Sequence, residues 1–121
     1  MGYLRAELGV GEAARLTTAV LSAAREPLAT FTWTETESRQ QYESPPDSSE
    51  APYDINLLCV NADMAPAARA WLGPQFFADR YTVGAWAWEV EEFPRAQWTG
   101  FDYVDEIWAN SEFAAAAMCR K

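Results

Sequence analysis

Ile55-Asn56-Leu57-Leu58-Cys59-Val60 is nearly continuously apolar, and Asn61-Ala62-Asp63 follows it directly. Such a run reads as a parallel strand covered on both faces. A second run, Tyr81-Thr82-Val83-Gly84-Ala85-Trp86-Ala87-Trp88, has the same character and leads into Glu89. Between them, Pro66 to Leu72 reads as a short helix, with Pro at its start and Gly73-Pro74 at its stop. Gln75 to Asp79 adds a further helical turn. Strand, helix, strand is the signature of a parallel sheet.

Working outward, the same alternation continues. Glu89 to Gly100 reads as loop plus short helix, and Glu106-Ile107-Trp108-Ala109 as a short strand. Asn110 or Ser111 then caps a helix over Glu112 to Met118, with Glu112 in its first turn. Towards the N-terminus, Ala13, Leu16, Val20 and Ala23/Ala24 recur three or four apart. That spacing predicts an amphipathic helix from about Glu12 to Arg25, closed by Pro27, with this apolar stripe as its inward face. Thr30-Phe31-Thr32-Trp33 alternates like a strand. Residues 34–52 are polar apart from Tyr42 and Ala51 and read as a long solvated, mobile loop. The order predicts an α/β domain with a Rossmann-like parallel sheet and flanking helices. The run before Gly9 is stunted, and the sequence stops as a helix finishes, so a partial domain over 1–121 is expected.

Composition narrows the partners. The chain has 121 residues, room for one domain, and half of them are hydrophobic. Nine Lys and Arg against eighteen Asp and Glu give a net charge of −9. A nucleic-acid backbone or an anionic membrane surface would repel such a chain. No apolar run approaches the roughly 18–20 residues a membrane helix needs, and the N-terminal residues lack the pattern of a signal peptide. There is no histidine, so the usual general base and the commonest metal ligand are missing. Cys59 and Cys119 are too few and too far apart for a disulfide framework or a zinc site. A cytoplasmic protein with no metal is expected.

Three constellations carry possible chemistry. Gly9-x-Gly11-x-x-Ala14 matches the dinucleotide fingerprint, in which glycines let a phosphate approach a helix N-terminus. The other reading is a tight strand-to-helix turn that needs glycine. Asn61 and Asp63 stand just past a strand's carboxyl end, where ligands bind in open α/β sheets. Asp63 is suited to orient a sugar hydroxyl or act as a base, and equally to cap the helix near Pro66. Trp86 and Trp88 share a face, either as a platform for a sugar ring or as core, and Glu89 offers a carboxylate at the strand end.

Together these residues resemble a known family. Gly2-Tyr3-Leu4 with Gly9-Val10-Gly11-Glu12-Ala13-Ala14-Arg15, then Asn61-Ala62-Asp63, then Gly84 to Glu89 with Phe93-Pro94, then Val104 to Phe113, look like the N-terminal half of GT-B-fold glycosyltransferases of family 4. The resemblance implies two Rossmann-like domains around a cleft. The N-terminal one takes the sugar or glycan acceptor, and the C-terminal one takes the nucleotide-sugar donor, here absent. Transfer is then metal-independent and retains anomeric configuration, with the nucleotide sugar as co-substrate and no cofactor. Gly9, Gly11 and Glu12 match the family's loop facing the donor phosphates. Trp86 to Glu89 lies where relatives often place a histidine, and Glu89 is its best substitute.

On this reading Glu89 and Asp63 are the catalytic candidates. Gly9, Gly11, Glu12, Asn61 and Trp88 are the substrate-binding ones. The fragment alone is expected to be inactive. The alternative is a non-catalytic sugar- or nucleotide-binding module. A dinucleotide oxidoreductase rests on Gly9 to Ala14 alone.

Overall fold

The computed structural model describes residues 1–119. They form two compact units, Met1–Tyr53 and a second beginning at Asp54.

The first unit is built on one long helix, α1 (Gly9–Ala23). It starts three residues earlier than the periodicity predicts. Leu8 is the extended residue before it, so Gly9 and Gly11 lie inside the first helical turn and not in a loop ahead of it. The strand expected at Thr30–Trp33 reduces to a single parallel bridge between Gly2 and Thr32. Tyr3 stacks on Trp33 beside that bridge, with ring centroids 5.5 Å apart.

The inward face of α1 differs from the expected one. Gly11 and Ala14 are buried, whereas Leu16 and Val20 are 58% and 66% exposed. The cause is a close approach at Gly11. A Cβ there would stand 2.6 Å from the Tyr3 carbonyl oxygen and 2.8 Å from that of Ala6. Only the small-residue side of the helix can lie that near to backbone, and Leu16 stands about 200° round the helix from Ala14. Arg15 locks the contact. Its guanidinium donates to the Leu4 and Ala6 carbonyls at 3.2 and 3.0 Å and pairs with Glu12.

The polar segment 34–52 has no regular secondary structure, as expected, but it is tied down. Glu7 receives hydrogen bonds from Arg39 (2.8 Å) and from Gln41. The Tyr42 amide donates to the Arg5 carbonyl at 3.1 Å, and the Ser48 amide to that of Thr30 at 2.8 Å. Asp47 accepts the Thr32 amide at 2.7 Å.

The second unit is mixed α/β. Its strands β1 (Ile55–Leu58), β2 (Tyr81–Trp86) and β3 (Glu106–Ala109) form a parallel sheet in the order β1-β2-β3. The helices α2 (Ala65–Leu72) and α3 (Pro74–Phe77) connect β1 to β2. A 3₁₀ segment, Arg95–Tyr103, precedes β3, and α4 (Glu112–Cys119) follows it. Ser111 accepts the Ala114 amide at 3.1 Å, which makes it the cap of α4. No helix among the described residues is long and apolar enough to cross a membrane.

Both faces of the central strand bury side chains, as the apolar run predicts, but the cover is incomplete on one of them. Leu58, Thr82 and Trp86 point to a packed side, and Trp86 is only 2% exposed. There Trp86 stacks with Phe93 and meets Phe101 edge-on, over Ala62, Ala114 and Met118. On the other side Val83 is buried too, at 3% exposed, whereas Ile55, Tyr81 and Trp108 stay well exposed.

Candidate functional site

In a parallel sheet every strand ends on the same edge, so loops after successive strands gather there. Here that edge is formed by the segments after β1 and β2. Asn61 leaves β1 in an extended conformation (φ −73°, ψ 169°) and starts a 3₁₀ turn over Ala62–Met64. Its side-chain oxygen accepts the Ala87 amide at 2.9 Å. The first residue past β2 is thereby fastened to the segment past β1. The turn is held from the other side by Gly100, whose added Cβ would lie 2.6 Å from the Ala62 carbonyl oxygen. Only glycine lets the 3₁₀ segment pack on Ala62 so closely.

Asp63 is exposed in the first turn of that short helix. It does not cap α2. The residue preceding α2 is Met64, and no side chain caps that helix. Asp63 therefore keeps its carboxylate available. Glu89 is exposed just past β2.

Trp88 is half-buried. Its indole N–H donates to the Glu92 carbonyl at 3.0 Å, and its ring meets Phe93 edge-on at 5.1 Å. Trp86 and Trp88 therefore divide the two readings offered for them. Trp86 is core, whereas Trp88 packs on the core and keeps part of its ring accessible.

The structure thus gathers Asn61, Asp63, Trp88 and Glu89 on one sheet edge. One amide is engaged, two carboxylates are open to solvent, and one aromatic surface is held in place by a hydrogen bond. That set can orient hydroxyl groups and place negative charge beside a developing positive one. Among the described residues no three Asp, Glu or Cys side chains converge as a metal-binding group would.

Gly9, Gly11 and Glu12 belong to the first unit. Gly9 is open, with nothing within 4 Å of an added Cβ, so no steric demand for glycine exists there. Gly11 faces the Tyr3 and Ala6 carbonyl oxygens, which a phosphate would not replace. The Glu12 carboxylate accepts Arg15 Nε and Nη2 at 3.0 and 2.8 Å. Helix-to-backbone packing accounts for Gly11 and a local ion pair engages Glu12, whereas the packing gives no reason for glycine at position 9.

Sequence reasoning missed a second polar group on the sheet. Glu106 receives the Tyr81 hydroxyl at 3.0 Å and the Trp108 indole N–H at 2.7 Å, and all three residues are exposed. The hydrogen bond to Glu106 raises the Tyr81 phenol above its ordinary range. The signal was the parallel register, which sets Val83 beside Glu106 and so brings Tyr81 within reach. That register is not written in either strand alone. It also missed Asn56, buried in β1, whose amide donates to the Phe76 carbonyl at 3.0 Å.

Scans against protein-family models and searches of curated proteins and solved structures find no match to this chain.

Proposed function

We propose that this chain is the acceptor-side part of a cytoplasmic retaining glycosyltransferase of the GT-B, family 4 type, with its second unit a partial Rossmann-like domain. The substrates on this reading are a nucleotide-sugar donor and a sugar or glycan acceptor. The single observation that supports it most is the sheet edge, where the Asn61–Ala87 hydrogen bond fastens the segments carrying Asp63 and Glu89 together. Asp63 orients the acceptor hydroxyl or takes its proton. Trp88 packs against a sugar ring. Glu89 stabilises the positive charge that develops on the transferred sugar.

The edge is open to solvent at both carboxylates. Transfer needs a donor held against the acceptor with water excluded, so a donor-binding surface must face this edge. Residues 1–121 alone then give no product. The test joins the chain to the donor-binding domain of a family 4 glycosyltransferase and assays a panel of nucleotide sugars and acceptors. Glu89→Gln should lower turnover on the order of a hundredfold with folding intact, about 3 kcal/mol of electrostatic stabilisation. Product from residues 1–121 alone, or unchanged turnover in Glu89→Gln, would remove this reading. Acceptor binding without transfer in the joined protein would favour a non-catalytic sugar-binding module.

A further inference from the structure

Ile55, Tyr81 and Glu106 open the strands β1, β2 and β3. They lie at the amino ends of the strands, away from the edge that carries Asn61 and Glu89. The register sets Ile55 beside Tyr81 and Val83 beside Glu106, and alternation brings Trp108 to the same face. Ile55 is 66% exposed, Trp108 52% and Tyr81 46%. Glu106 ties the two rings together, since one carboxylate oxygen accepts the Tyr81 hydroxyl and the other accepts the Trp108 indole N–H. Single exposed apolar side chains are ordinary, but a contiguous group of them marks an interaction surface.

Charge selects the partner. Both donors to Glu106 are neutral, so its negative charge is not offset. Asp105 beside it accepts the Thr82 amide at 2.7 Å, again a neutral donor. Among the described residues neither carboxylate forms an ion pair. The adjacent Arg80 guanidinium donates instead to the Gln75 and Phe76 carbonyls, at 2.9 and 2.8 Å. Aromatic faces also attract cations, Trp most strongly. The Glu106 carboxylate stands 2.7 Å from the indole nitrogen, so one positive group reaches both ring and carboxylate. A guanidinium suits this pair better than an ammonium. It is planar, stacks on a ring, meets a carboxylate through two N–H groups and is less strongly hydrated.

Other occupants fit poorly. A phosphate backbone is repelled. A second copy docked on the same patch would set Asp105 and Glu106 against their own counterparts, in a chain of net charge −9. A small free cation gains little, because half-exposed side chains give it no enclosure.

We propose that Ile55, Tyr81, Trp108 and Glu106 form a docking surface for a partner polypeptide segment that presents arginine flanked by apolar side chains. The guanidinium stacks on Trp108 and pairs with Glu106, and the apolar neighbours cover Ile55. This surface does not depend on the transferase reading of the opposite edge.

The test is NMR on the full 121-residue chain, titrated with the peptide acetyl-Arg-Leu-Arg-Leu-Arg-amide and with its lysine and glutamate counterparts. The arginine peptide should shift the Trp108 indole N–H and the Ile55 methyl resonances. The lysine peptide should bind more weakly and the glutamate peptide not at all. Glu106→Gln and Trp108→Ala should each weaken binding of the arginine peptide about tenfold. Ile55→Lys, a change at an exposed position that leaves the packed side untouched, should abolish it while the melting temperature stays near that of the parent. Glu26→Gln, at an exposed carboxylate of the first unit, should leave it unchanged. The proposal is wrong if the arginine peptide leaves Trp108 and Ile55 unshifted, or if Glu106→Gln and Ile55→Lys bind it as the parent does. Equal affinity for the lysine peptide would overturn the choice of arginine. Equal losses in Glu26→Gln and Glu106→Gln would show attraction to net charge alone and would also overturn it. None of these readouts involves Glu89 or sugar transfer, so the two readings fail separately.

Discussion

The side-chain oxygen of Asn61 accepts the backbone amide of Ala87 at 2.9 Å, across 26 positions of sequence. Neither residue lies in a strand. Their hydrogen bond extends the association of β1 and β2 beyond the last ladder pair, Leu58 with Gly84. The loops that carry Asp63 and Glu89 inherit their positions from it.

Removing that acceptor should loosen the edge. Asn61→Ala leaves the Ala87 amide without its partner, at a cost of about 1–3 kcal/mol. Asn61→Asp keeps an acceptor oxygen and should recover most of the loss. Urea unfolding of the three proteins measures it. Equal stability for Asn61→Ala and the parent would show that solvent replaces the bond.

The two glycines of the first helical turn should behave oppositely. Gly11→Ala puts a methyl group within 2.6 Å of the Tyr3 carbonyl and 2.8 Å of the Ala6 carbonyl. Backbone cannot move aside as a side chain can, so a loss of roughly 1–3 kcal/mol is expected, as for other overpacked sites. Gly9→Ala meets nothing and should stabilise by up to about 1 kcal/mol through helix propensity. Thermal melts of both variants decide it. Two glycines of equal effect would contradict the packing described for α1.

Tyr81 should titrate late. Its hydroxyl donates to Glu106, which favours the protonated phenol, and Glu106 and Asp105 repel the phenolate. A pKa raised by folding contributes stability that is present below the unfolded tyrosine pKa and is lost as pH rises through the folded one. Alkaline difference spectroscopy should therefore show one tyrosine ionising above the ordinary range. In Glu106→Gln that transition should move down. An unmoved transition would mean that Glu106 does not hold the phenol.

The two thiols should separate by reactivity. Burial pushes the Cys59 thiol above its ordinary pKa, which suppresses the thiolate, and the side chain is only 8% exposed. Cys119 is free and exposed. Brief treatment with iodoacetamide should label Cys119 in the native protein and Cys59 only after denaturation, as read by peptide mass spectrometry. Rapid native labelling at Cys59 would show that β1 opens readily.

The sequence by itself determined the order of elements in the second unit. Pro66 and Gly73-Pro74 bracket α2, Ser111 caps α4, and the apolar runs before Asn61 and Glu89 become parallel neighbours. These are local effects, since caps and breakers act within a turn and apolar runs need only a sheet to join. Tertiary structure decided the rest. The helical period in α1 marks Leu16 and Val20 as inward, yet close backbone contact at Gly11 turns Ala14 inward instead. The loop at residues 34–52 looks mobile because it is polar, but Glu7, Arg5, Thr30 and Thr32 tie it down from far away in sequence. The carboxylate of Glu106 meets Tyr81 through strand register alone, and Asn61 meets Ala87 because β1 and β2 end on the same edge. A single strand or loop carries no record of the partner that will satisfy its polar groups; that is set when chain segments distant in sequence pack together.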